Sequence, residues 1–145
     1  MLPWKYHPQR YYRFAQRQWK RARKALRQRR RFDQSASKTP VLVVGAQRSG
    51  TNMLVSVLDR APDVWLYNEF HRAAFDNYRL RTLPSIQRLI DKCYAPFVAF
   101  KPLCDSHRTD EVLDRFPSAR AIWIYRRYQD TSNSAVRRFE NHHRD

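Results

Sequence analysis

Both glycines of this chain, Gly45 and Gly50, sit in one stretch, VLVVGAQRSGTN, running from Val41 to Asn52. A β-branched apolar run of strand length leads into the first glycine. A helical pattern, TNMLVSVLDRAP, follows the second. Glycine permits positive φ and a close approach of main chain to a ligand. A strand, a loop with glycine at both ends and a helix starting at Gly50 or Thr51 together describe an anion cradle. Its loop N–H groups and helix N-terminus would point at a phosphate-like group. In open parallel sheets such loops lie beyond the carboxyl ends of the strands.

The rest of the chain agrees with that placement. PVLVVG, DVWLYNE, PFVAFKPL and RAIWIYR read as strands. Between and after them, GTNMLVSVLDRAP, PSIQRLIDKCY, TDEVLDRF and QDTSNSAVRRFENH read as helices, with Thr109 expected to cap the third. Short apolar runs alternating with helical patterns indicate βαβ units around a buried parallel sheet, an α/β fold in three layers. This domain occupies residues 40–145, and a polar linker, DQSASKTP, precedes it.

Charge divides the chain at the same place. The formal net charge is +16, yet residues 1–39 hold thirteen of the 29 Lys and Arg and a single acid, Asp33. The charge belongs to an arm, and the domain is only mildly basic. Residues 9–31 contain neither Gly nor Pro and are rich in Arg, Gln, Ala and Lys, which favours a helix. Tyr12, Ala15, Trp19, Ala22 and Leu26 recur at helical spacing and form one narrow apolar stripe. Three readings of the arm follow: a solvated helix packing its Trp19 stripe on the domain, a peripheral contact with an anionic membrane, or a nucleic-acid contact. The last is weakest, because no nucleic-acid-reading motif accompanies the arm. Cys93 and Cys104 lie outside any metal or CxxC spacing and read as reduced thiols, which fits a cytoplasmic setting. No apolar segment approaches the length of a membrane span, and no apolar core of a signal peptide follows the basic start. His142 and His143 read as solvated tail.

Gly45 and Gly50 satisfy the glycine spacing of the nucleotide-binding pattern G-x-x-x-x-G-K-[ST], but Thr51 stands where the lysine belongs. The cation has moved into the loop, at Arg48. The strand RAIWI is followed by Arg126 where an aspartate for Mg²⁺ would stand. A P-loop kinase or NTPase is therefore the rival reading, and a catalytically silent anion- or lipid-binding scaffold is the non-enzyme alternative.

GAQRSGTN resembles the 5′-phosphosulfate loop of the sulfotransferases that use 3′-phosphoadenosine 5′-phosphosulfate. By that resemblance Gly45, Gln47, Arg48, Ser49, Gly50, Thr51 and Asn52 would hold the 5′-phosphate and the transferring sulfuryl group. Asn52 replaces the usual hydroxyl residue. The family's second motif pairs a strand-end arginine with a serine eight residues later. Arg126 and Ser134 have that separation and would bind the 3′-phosphate, although Arg127-Tyr128 replaces the usual residues after the arginine. The resemblance covers about residues 40–140. It implies a P-loop sulfotransferase-type sheet, incomplete at its C-terminal side, a hydroxyl or amine acceptor that is a small molecule or a carbohydrate, and no metal. It further implies that the acceptor pocket is less complete than the cofactor cradle.

An acceptor hydroxyl needs a base. Carbohydrate-type members place a glutamate 21 residues after the loop's basic residue, in a PDV…YE context. PDVWLYNEF puts Glu69 at that distance from Arg48, at the end of a second strand expected beside the first. The bland reading pairs Glu69 with an arginine such as Arg72. His71, sharing a face with Glu69 if the strand continues, is the second candidate, and His107 is the third. Lys101, ending the third strand, would neutralise the leaving oxygen or else snorkel to solvent.

Overall fold

The computed structural model describes residues 8–140. The alternation read from the sequence becomes α1 (Pro8–Arg31), β1 (Thr39–Gly45), α2 (Thr51–Leu58), β2 (Val64–Tyr67), β3 (Phe75–Asp76), β4 (Arg79–Leu80), α3 (Leu83–Asp91), β5 (Phe97–Phe100), a 3-10 turn (Leu103–Arg108), α4 (Thr109–Arg115), β6 (Arg120–Ile124) and α5 (Tyr128–Glu140). Strands β2, β5, β1 and β6 form one sheet in that order, every pairing parallel. Successive side chains of β1 alternate between its two faces, as a strand requires. Leu42 and Val44 pack with Val98, Phe100, Ile86, Ile90, Val112 and Phe116 on the α3/α4 side. Val43 packs with Val55, Leu66 and Ala99 on the α2 side. Covering both faces is what allows β1 to be apolar along its whole length.

Strand order corrects one expectation. β2 does not lie beside β1, because β5 separates them. Val98, Ala99 and Phe100 of β5 are all but completely buried, so this strand belongs in the middle of the sheet, whereas β2 carries a half-exposed Trp65 and suits an edge. β2 also ends at Tyr67. Asn68 then turns the chain, its Oδ1 accepting the Phe70 N–H at 3.2 Å. Thr109 does not cap α4 either. It is the first residue of the helix, and its Oγ1 donates to Ser106 O, because the preceding 3-10 turn runs straight into the helix. The short hairpin β3–β4 has no counterpart in the sequence reading. Asn77 and Tyr78 at its tip both have positive φ, 45° and 64°, as two-residue hairpin turns require.

The Trp19 stripe also behaves differently from the bland expectation. Tyr12, Trp19 and Leu26 are exposed, Trp19 by 60%. The helix meets the domain through Arg21, Lys24 and Gln28 instead. Arg21 Nη2 donates to Leu66 O at 3.4 Å, and Gln28 Nε2 donates to Pro62 O at 2.9 Å and Val64 O at 3.1 Å. Lys24 Nζ donates to Asp59 O and faces the Asp59 carboxylate at 3.7 Å. Residues 62, 64 and 66 present carbonyls on the free edge of β2, so polar side chains of α1 cover an edge that would otherwise invite pairing with another chain. Gln28 is 3% exposed. Gln28→Met is expected to leave two edge carbonyls unpaired and to lower stability by about 1–2 kcal/mol in urea unfolding. An unchanged midpoint would show that α1 does not protect the edge.

Candidate functional site

The loop after β1 takes the conformation that its glycines permit. Gly45 has φ 144°, and a Cβ there would stand 2.5 Å from Ile124 O at the end of β6. Gly50 has φ 109° and precedes α2 as its N-cap. Between them Arg48 itself adopts φ 67°, which costs a non-glycine residue of order 1–3 kcal/mol and is over-determined by surrounding contacts. Arg48 Nε donates to Ser134 Oγ at 3.0 Å, and Arg126 Nη1 donates to Arg48 O at 3.4 Å. The loop and the Arg126/Ser134 pair therefore meet, although more than seventy residues separate them in sequence.

Gln47, Arg48, Gly50, Thr51, Asn52, Arg126 and Ser134 line one cleft of about 710 Å³ with Glu69 and Lys101. Ser49 is buried, and its hydroxyl donates to Ala46 O at 2.7 Å, so it braces the loop from inside. A second hollow of about 410 Å³, beside Arg48, Arg126 and Ser134, also includes Asp130, Asn133 and Arg137.

The floor of the cleft is a buried charge pair. Lys101, next after β5, is 1% exposed. Its Nζ donates to Glu69 Oε1 at 2.7 Å and to Asn52 Oδ1 at 2.6 Å. The snorkelling reading of Lys101 is thereby corrected, since the ammonium is held inside. Glu69 pairs with Lys101 and not with Arg72. Because β5 intervenes between β2 and β1, Glu69 reaches the loop through Lys101. Glu69 Oε2 is the one buried side-chain oxygen or nitrogen among the described residues that has no hydrogen-bond partner. It is a buried acceptor without a partner, on a residue that lines the cleft.

His71 does not join this group. With β2 ended at Tyr67, the chain turns His71 edge-on against the Tyr67 ring at 4.8 Å, outside the residues lining the cleft. Its Nδ1 accepts the Ala73 N–H at 3.4 Å. Burial, and secondarily the charge of Arg21, hold its imidazole below the ordinary histidine range. His107 is exposed on the 3-10 turn and also lies outside the cleft lining. His142 and His143 lie outside the described residues.

Sequence reasoning missed the far wall: Phe70, Tyr78, Leu103 and Cys104. Phe70 and Tyr78 meet edge to face at 5.5 Å. The β3–β4 hairpin that carries Tyr78 is pinned by buried Asp105, which accepts from Arg79 Nη1 at 2.7 Å and from the Leu80 N–H at 2.5 Å. Burial alone would raise the Asp105 carboxyl, but Arg79 and the Leu80 N–H outweigh it and hold it below the usual range. The Asp-Asn dipeptide before Tyr78 is the signal that could have revealed the turn, but tyrosine at a left-handed position concealed it. Among the described residues no group of three or more His, Cys, Asp or Glu is placed to hold a metal ion.

Comparison of the chain with protein-family models, with curated proteins and with solved structures yields no match.

Two measurements probe this geometry. Lys101→Met leaves the Glu69 carboxylate buried and unpaired and is expected to cost about 3–5 kcal/mol, with Glu69→Gln added to Lys101→Met restoring part of the loss. Equal stability of the single variant and wild type would contradict the buried pair. For His71 the folded state resists protonation more than the unfolded chain does. Stability should therefore fall as pH drops below about 6.5 and continue falling toward the lower folded value. His71→Phe should shrink that fall in thermal midpoints between about pH 7.5 and 5.5; an identical slope would show that His71 is not buried neutral.

Proposed function

We propose that this chain binds 3′-phosphoadenosine 5′-phosphosulfate and supports transfer of its sulfuryl group to a hydroxyl or amine acceptor on a small molecule or carbohydrate. The observation that carries this reading is the bond between Arg48 and Ser134 with Arg126 on the Arg48 carbonyl. It joins the two segments that resemble the family's 5′- and 3′-phosphate motifs. The chemistry of the donor set supports it. Arg48, Arg126 and Lys101 gather three cations around one cleft, with Glu69 the single acid among its lining residues. Such a set suits a ligand with anionic groups at two places.

The residues then have separable tasks. Loop N–H groups, Gln47 and Thr51 hold the 5′ end of the donor at the start of α2, where the helix N-terminus favours negative charge. The guanidinium of Arg126 and the hydroxyl of Ser134 take the 3′-phosphate, a fork matched to two phosphate oxygens. The donor supplies an activated sulfur–oxygen bond. Glu69 Oε2, with no other partner, receives the proton of the acceptor hydroxyl as the acceptor oxygen bonds to sulfur. The bond from sulfur to the 5′-phosphate breaks, and its electron pair remains on the phosphate oxygen. Arg48 and the Lys101 ammonium neutralise the charge that collects there. Asn52 accepts from Lys101 through Oδ1, which leaves its amide N–H groups for the donor.

A nucleotide kinase or NTPase is disfavoured by Thr51 and Arg126, which stand where that chemistry needs a lysine and a metal-binding acid. Titration calorimetry with 3′-phosphoadenosine 5′-phosphate and, separately, with Mg·ATP decides between them. The expected result is micromolar binding of the first alone, weakened about tenfold to a hundredfold by Arg126→Ala. Binding of Mg·ATP alone, or of neither, would overturn the proposal.

A further inference from the structure

Docking through Arg21, Lys24 and Gln28 decides which way the rest of α1 faces. At about 100° per residue, these three positions centre on one side of the helix, and Tyr12, Trp19 and Leu26 centre about 170° away. The apolar stripe therefore lies mostly outside the docking contact, although Leu26 borders a hollow with Trp65, Tyr67, Cys93 and Tyr94, and Trp19 borders one with Arg60 and Pro62. Tyr12, Trp19 and Leu26 are all more than half exposed, and Tyr11 is exposed beside them. Cationic rows flank the stripe. Lys20, Arg23, Arg27 and Arg30 run along one side and Arg29 stands on the other, all exposed. The Arg23 guanidinium lies 4.4 Å from the centre of the Trp19 ring. No helix among the described residues is long and apolar enough to cross a membrane.

We propose that α1 is an in-plane membrane anchor that seats the protein on an anionic lipid surface. The arrangement meets the two requirements of such a helix: an aromatic and aliphatic strip to enter the headgroup boundary, and basic rows at the level of the phosphates. Tyr and Trp are the residues that settle at that boundary. Charge complementarity selects the occupant. Arginines and lysines beside the stripe are each attracted to an anionic leaflet, and they lie within a Debye length of a surface touched by Trp19. A nucleic acid would be served by the cations but would leave Tyr12, Trp19 and Leu26 without a partner. The polar face keeps its bonds to β2 throughout, so docking on lipid requires no undocking from the sheet. The cleft and its ligand play no part in this proposal.

The test is sedimentation of the full chain with vesicles at about 0.15 M salt. One set is phosphatidylcholine, and the other contains about one-third phosphatidylserine. Two side-chain substitutions, Trp19→Gln and Leu26→Gln made together, remove the stripe and leave the charge unchanged. Both side chains are exposed, so the thermal midpoint should not move. The expected result is binding to the anionic vesicles only, weakened by roughly tenfold or more in the double variant. Absence of binding to anionic vesicles would overturn the proposal. So would binding that the double variant retains in full, or stronger binding to a duplex oligonucleotide than to the vesicles at equal phosphate.

Discussion

Burying an ammonium ion is the constraint around which the site is built. Lys101 is almost wholly removed from solvent, and its charge is met by Glu69 Oε1 and Asn52 Oδ1. An ion taken out of water without such partners costs several kcal/mol. The pairing therefore fixes three chain segments at once: the end of β5, the turn after β2 and the first turn of α2. This arrangement depends on the strand order. Were β2 beside β1, Glu69 would stand against the loop directly, and Lys101 would lie to one side of both. With β5 between them, the lysine becomes the link, and one buried oxygen of Glu69 is left without a hydrogen-bond partner.

The two edges of the sheet are treated in opposite ways. On the β2 side, α1 lays Arg21 and Gln28 onto the carbonyls of Pro62, Val64 and Leu66. The abundance of long donor side chains in the arm thus has a structural use besides charge. On the β6 side, Trp123 and Tyr125 are exposed, Tyr125 by 82%. The same edge supplies the carbonyl of Ile124 that would crowd any side chain at position 45. Glycine at 45 and the register of β6 against β1 are consequently a single requirement, since Gly45 pairs with Ile124 across the two strands.

What could be read in the sequence was local. The continuous apolar run of Val41 to Val44 announced a strand buried on both faces, and two glycines with Arg48 between them announced an anion-cradling loop. Arg126 and Ser134 could be paired only through resemblance to a family motif, and the structure places them together at that loop. What was hidden was non-local or unusual. Strand order depends on which run is buried on both sides, and Val98-Ala99-Phe100 is too short to declare that by itself. The β3–β4 hairpin was masked by Tyr78 in a left-handed conformation. The docking face of α1 consists of Arg21, Lys24 and Gln28, so hydrophobic periodicity pointed to the wrong side of the helix. Glu69 was singled out by a spacing from Arg48 known from the family resemblance, but its partner Lys101 follows a strand, β5, that no spacing rule connects to it.

Residue-resolved mapping of anion binding tests the central claim most directly. Amide spectra of the nitrogen-15-labelled chain would be followed during titration with 3′-phosphoadenosine 5′-phosphate. The expected result is that the largest shifts fall on the amides of Gln47 to Asn52 and on Arg126 and Ser134, segments that line one cleft. Shifts confined to the arginines of α1, with the loop unmoved, would contradict the assignment and reduce the interaction to the charge of the arm.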